Sequence, residues 1–468
     1  MANPLKDLPS IKQIQDHANY EKYRETYGVA DIYLTKLAKQ AVQAERTRLK
    51  NNEMRENPIH KDILLKNIFK RMDEALQRLS TPAAIKVINA TGIVLHTNLG
   101  RARIGENAAR QVTASAANYS DLEYNLETGA RGSRYERVEM LLTLITGAEA
   151  AVVVNNNAAA VFLVLRALAK ERDVLVSRGE LVEIGGSFRV SSIAAESGAH
   201  LVEVGTTNKT HPQDYVEAIT ERAAMILKVH RSNFTMSGFT SEVSRRELAT
   251  ISQNKQLIFY EDLGSGAFYD YQRYGIGEEP LISELLTEGV DIVSASGDKL
   301  FGGPQAGIIL GKKSLIETIK RHQMMRALRV DKMTLAALTA TLQAYLSPEV
   351  LKENVPAVRD ILADPLEIAK RAQRLLDKLN AYKDLSVETV NTEARVGGGT
   401  MPEVMLKSAG VAVTHQTMSV SALAKALRTG RTAIVGRVAQ DRLILDCRTI
   451  TDDEIDDVVR AFQEILRS

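Results

Sequence analysis

Residues 150–170 read AAVVVNNNAAAVFLVLRALAK: small and β-branched apolar residues, then three asparagines, then an apolar stretch of helical length. This is the pattern of a strand, a turn and a helix. It recurs along the chain. DVLVSRG (173–179), HLVEVGT (200–206), AAMILKVH (223–230), QLIFYEDLG (256–264) and VDIVSASGDK (290–299) are short β-branched runs separated by segments long enough for helices. Such alternation predicts an α/β fold with a mostly parallel central sheet covered on both faces. Ligands on these sheets bind beyond the carboxyl ends of the strands, where the polar residues after each run fall.

The flanking segments have other textures. In residues 1–80, Ser10 and Gln13 have capping-box spacing, DIYLTKLAKQAVQAERTRLK carries a helical stripe, and Leu65, Ile68, Met72, Leu76 and Leu79 line one face of a further helix that Pro82 ends. Residues 1–80 are therefore expected to form a helical domain, 81–345 the large α/β domain and 346–468 a small α+β domain with the long helix LEIAKRAQRLLDKLN. Basic residues crowd the first segment (Lys36, Lys39, Arg46, Arg48, Arg55 and Arg71 among them), which fits either the solvated face of a helical bundle or a nucleic-acid contact.

Composition narrows the classes. A chain of 468 residues exceeds one core, and its 44% apolar and 25% charged residues are ordinary for a folded protein. The net charge of +2 gives no global attraction to polyanions. The single cysteine, Cys447, excludes an intramolecular disulfide and a multi-cysteine zinc site, and its place after LILD reads as core. The opening MANPLKDLPSIKQ has no apolar leader segment, and no run approaches the roughly 18 apolar residues of a membrane span. A cytoplasmic location without membrane contact is expected.

Three places carry chemistry. Asn155, Asn156 and Asn157 stand at a strand end before a helix, where free N–H groups and the helix dipole favour a phosphate; a plain turn and N-cap reads equally well. Asp262 ends the strand of LIFYEDLG, placed to pair with a buried cationic ring nitrogen. Lys299 follows 37 residues later, after the next strand, with Ser296 three positions before it and Gly302–Gly303 just after. A lysine buried at a strand end loses basicity and becomes available as a nucleophile or base. Phosphate turn, aspartate and lysine in this order are the parts that pyridoxal 5'-phosphate needs: an anchor, a partner for the pyridine nitrogen, and an amine to hold the aldehyde.

Longer motifs extend the comparison. VINATGIVLHTNLGRA (87–102), YNLETGARGSRY (124–135), RGELVEIGGSFRV (178–190), EDLGSG (261–266), SGDKLFGGPQAGII (296–309), RALRVDKMTLAAL (326–338), LPSI (8–11) and GGGTMP (397–402) together resemble the bacterial selenocysteine synthases, the L-seryl-tRNA(Sec) selenium transferases. These are fold-type I pyridoxal-phosphate enzymes. Two departures are visible: RHQMMRALR lacks a proline before the arginine pair, and Arg231 stands where a small polar residue is usual.

The resemblance implies conversion of seryl-tRNA(Sec) to selenocysteinyl-tRNA(Sec) through a cofactor-bound aminoacrylyl intermediate, with selenophosphate as donor. It implies catalytic Lys299 and Asp298, and cofactor contacts from Lys299, Asp262, Asn156, Asn157, Ser296 and His230. A second anion pocket would be built from Arg101, Arg326 and Arg329, the last two expected on one side of a helix by their spacing. It further implies tRNA recognition by the N-terminal helices and a homodecamer, a pentamer of dimers, in which Arg131 and Arg134 reach a shared site. Arg448 occupies a place where related enzymes bind a substrate carboxylate. His96, like His230, reads as a cofactor contact or a structural histidine. The alternative activity is that of a related lyase or transferase acting on a small free amino compound.

Overall fold

The computed structural model describes residues 4–51, 61–82, 84–184 and 188–467. Arg55 and residues 185–187 of the 178–190 motif lie outside the described residues. The chain divides into two compact units, Met1–Lys86 and Val87–Ser468.

In the first unit, Ser10 and Gln13 form the capping box on the helix Ile11–Gln15. The helices Asp31–Lys50 and Lys61–Ser80 close a core of Ile14, Tyr20, Leu34, Ala38, Ile68 and Met72. Leu76 joins that core, whereas Leu79, expected on the same face, is 71% exposed. It sits in the last turn, and Leu64 and Phe69 fill the interior instead. Glu45 is fully buried, 2.7 Å from Arg71 Nε and 3.1 Å from Arg48 Nη1. Two of the basic residues are thus occupied in neutralising a buried carboxylate.

In the second unit, seven strands form the large sheet in the order Ala150–Val154, Gly307–Gly311, Ile292–Ser296, Ile258–Gly264, Ala223–Val229, Asp173–Ser177, His200–Val204. Gly307–Gly311 runs antiparallel to both neighbours, while the other pairings are parallel. Side chains alternate between the faces: Val153, Leu175, Ile226, Phe259 and Val293 enter one core, and Val152, Val174, Met225, Tyr260 and Ile292 the other. Helices cover both faces, which is why the strands read as continuous apolar runs.

The smaller sheet has the order Val87–Ala90, Ala433–Ala439, Arg442–Asp446, Thr400–His415, Leu385–Gly397. Val87–Ala90, expected with residues 81–345, pairs in parallel with Ala433–Ala439 in this sheet. The pairing partner lies more than 300 residues away, beyond the reach of local periodicity. Chain leaving that strand stays tied to the small sheet through Val94 N–H to Arg395 O (3.0 Å) and Leu95 N–H to Val396 O (2.7 Å). Cys447 is buried there, and burial pushes its thiol up to about 12. Among the described residues no helix is long and apolar enough to cross a membrane.

Candidate active site

The strand Ile292–Ser296 is buried along its length and delivers Lys299 into a tight turn. Gly303 N–H closes that turn on Gly297 O at 2.9 Å, and Leu300 N–H donates to Ser265 O at 3.1 Å. Gly266, at φ +70°, makes this approach feasible: a Cβ there would lie 2.4 Å from Ser296 O. Lys299 is 6% exposed. Burial pushes its ammonium below the ordinary lysine range and Arg101 acts in the same sense, while Asp262, Asp298 and Glu279 oppose them.

Asp262 lies near the end of the neighbouring strand, Ile258–Gly264, and its Oδ1 accepts from Asn157 Nδ2 at 2.8 Å and Ser294 Oγ at 3.0 Å. Because the Ser294 hydroxyl donates to the carboxylate, Tyr260 OH, 2.7 Å away, donates to Ser294. Burial raises the Asp262 carboxyl above its usual range; the bonds from Asn157 and Ser294 and the Lys299 charge pull it back. No donor reaches its Oδ2 among the described residues.

The asparagine turn divides its labour. Asn156 caps the helix Asn157–Leu168, its side chain accepting from Ala159 N–H at 2.9 Å. Asn157 reaches Asp262, and the N–H groups of Asn157 and Ala158 have no partner among the described residues. Asn155 ties the turn to a distant segment, its N–H donating to Leu328 O at 3.1 Å and its Nδ2 to Arg329 O at 3.2 Å. A Cβ on Gly307 would lie 2.1 Å from Asn156 O, so the sheet presses directly on the turn.

This donor set fits pyridoxal phosphate. A buried carboxylate keeps one oxygen free for a protonated ring nitrogen, a buried amine stands near it, and helix N–H groups are open for a phosphate. Among the described residues, Asn157 Oδ1, Ser232 Oγ, Ser265 Oγ and His96 Nδ1 are also buried without partners, polar atoms of the kind a bound polar group would satisfy. Ser296 is buried as well, and no side-chain hydrogen bond of its own is found among the described residues.

The three arginines are placed differently from one another. Arg101 has left-handed backbone at φ 60°, and its Nη1 lies 2.7 Å from Asp298 Oδ2. Ala102 N–H donates to Asp298 O at 3.3 Å, pinning the Arg101 loop beside Lys299. Arg326 is exposed on the short helix Met324–Ala327, whereas Arg329 lies beyond the end of that helix. The expected helical spacing of this pair does not hold, because the helix stops at Leu328. Arg329 Nη1 stands 3.9 Å from Glu123, which also pairs with Arg131 and Arg134.

Two further residues change the sequence reading. His230 Nε2 meets Glu279 Oε1 at 3.0 Å, a partner with no local signal in the sequence. Arg448 is buried with Nη1 on Asp360 O at 2.7 Å and Ile361 O at 3.2 Å, and Nη2 on Lys407 O at 2.6 Å. Nη1 and Nη2 are thus held by backbone carbonyls, while Nε is buried with no partner among the described residues.

Comparison with known proteins agrees with this geometry. An L-seryl-tRNA(Sec) selenium transferase of Clostridium botulinum is 46% identical over 402 residues, 86% of this chain and 87% of its own. One from Maridesulfovibrio salexigens is 44% identical over 477 aligned positions, 100% of both chains. Among solved structures, D-glucosaminate-6-phosphate ammonia-lyase superposes with a TM-score of 0.58 at 21% identity, covering 84% of this chain and 97% of that one, which shows a shared fold. The family profile described as L-seryl-tRNA selenium transferase matches residues 87–451, and the chain belongs to that family.

Proposed function

We infer that this protein is a pyridoxal-phosphate enzyme that converts seryl-tRNA(Sec) to selenocysteinyl-tRNA(Sec). The observation that carries the reading is the buried Lys299 beside the buried, half-satisfied Asp262, in a chain of this family. When bound, pyridoxal phosphate supplies an aldehyde for the lysine amine and a ring that accepts electrons from the amino acid's α-carbon.

The chain's own residues do the rest. Asp262 holds a proton on the ring nitrogen, with Asn157 and Ser294 fixing its orientation. The Asn157–Leu168 helix start binds the phosphate. Lys299, its basicity lowered by burial, accepts and returns the α-proton, while Asp298 sets the local charge and holds Arg101. Arg101, Arg326 and Arg329 bind the selenophosphate anion, Arginine being suited to phosphate oxygens by its planar fork.

The helical unit at the start of the chain contributes tRNA binding by shape and backbone charge. A second copy of the chain completes the assembly. Exposed Tyr119, Leu126 and Met140 surround or line a groove of about 1010 Å³ that also includes Arg134 and Arg137, a surface suited to a homodimer and, by resemblance, a decamer of five such pairs. A tRNA substrate supports a cytoplasmic location for the reaction. The test is direct: incubate the holoenzyme with serylated tRNA(Sec) and selenophosphate, then identify the amino acid esterified to the RNA. Selenocysteine supports the reading, and unchanged serine rejects it.

A further inference from the structure

Glu279 is a buried carboxylate, 8% exposed at its side chain, and His230 is its one side-chain partner among the described residues. A carboxylate is costly to bury, so a single partner at 3.0 Å has to be held in place. The two residues come from separate segments. His230 follows the strand Ala223–Val229, and its N–H donates to Asp262 O at 3.0 Å, which locks its backbone to the residue that pairs with the cofactor ring in the reading above. Glu279 follows the turn Gln272–Tyr274, and its carbonyl accepts from Gln272 Nε2 at 3.2 Å. Its charge also bears on Lys299. Since a carboxylate only accepts, Nε2 carries the hydrogen, and the tautomer and ring orientation of His230 follow from Glu279.

We propose that Glu279 is a positioning residue of the active site, acting on the bound cofactor through the His230 imidazole that it orients. The proposal rests on the cofactor reading of Lys299 and Asp262. A second ligand of a working imidazole is the common way such rings are aimed, and its loss is felt at the ligand rather than in the fold.

A double-mutant cycle on the full-length chain tests it, read by the dissociation constant of pyridoxal phosphate and by the induced circular dichroism of the bound cofactor. Glu279→Met keeps the volume and removes the acceptor. It is expected to weaken cofactor binding about fivefold in the wild-type background and less than about twofold in a His230→Asn background. Glu279→Gln, which keeps the acceptor, stays near wild type. Equal losses from Glu279→Met in both backgrounds, or a Gln variant as impaired as the Met variant, overturn the proposal while leaving the cofactor reading intact. Wild-type protein that takes up no cofactor overturns both. Should Glu279→Met not fold, the single variants decide: impaired His230→Asn with unimpaired Glu279→Gln supports the proposal, and similar impairment of the two contradicts it.

Discussion

Arg101 Nη1 lies 2.7 Å from Asp298 Oδ2, one residue from Lys299. An arginine held in left-handed backbone and tied to the aspartate next to Lys299 is a pre-set cation, and in the proposed selenophosphate pocket its partner would have to yield to an anion. The pair also brackets the lysine electrostatically, Arg101 depressing its basicity and Asp298 raising it. Arg101→Ala should therefore move the pH at which the Lys299 amine becomes reactive upward, and Asp298→Asn should move it downward. Modification of the cofactor-free protein by an amine reagent, followed across pH at the peptide containing residue 299, reads both shifts. Displacement in the same direction contradicts the pairing.

Asp262 separates function from stability. Asparagine at that position can still accept from Asn157 and Ser294 but carries no charge for the ring nitrogen. Asp262→Asn is expected to alter unfolding free energy by less than about 1 kcal/mol, since a buried charge is removed without a cavity. Selenium transfer should fall on the order of 10²-fold or more. Large destabilisation with retained turnover would assign Asp262 to the core instead.

Gly307→Ala tests how closely the sheet presses on the asparagine turn. A Cβ 2.1 Å from Asn156 O forces either strand or turn to move. The substitution should cost roughly 1–3 kcal/mol in chemical denaturation and weaken cofactor binding, because the displaced turn begins the helix assigned to the phosphate. A variant with wild-type stability would show that the turn has slack.

In the N-terminal unit, Arg71→Ala removes the nearer of two arginines from the fully buried Glu45. Helix Asp31–Lys50 should exchange its amide hydrogens faster, with a local loss of roughly 1–3 kcal/mol. Unchanged protection would mean that Arg48 and Asn67 suffice for the carboxylate.

These relationships also mark what could be read from the chain directly. The strands of the large sheet were legible because each is buried on both faces and is written as a β-branched run, and Asp262 and Lys299 stood out as candidates because they come near or just after the ends of such runs. Contacts spanning long separations left no local trace: Asn157 with Asp262, Arg101 with Asp298, His230 with Glu279, and Val87–Ala90 with Ala433–Ala439. Spacing misled where a helix stopped early, as at Leu328 before Arg329, and where a final turn turned outward, as at Leu79. Nor did the sequence show that Arg448 holds the carbonyls of Asp360, Ile361 and Lys407 through Nη1 and Nη2.

The account turns on the amine of Lys299. Reconstitution with pyridoxal phosphate, borohydride reduction and peptide mapping should place a stable pyridoxyl tag on the peptide containing Lys299, with Lys299→Ala protein untagged. A tag confined to another lysine, or cofactor retained with no tag after reduction, would contradict it.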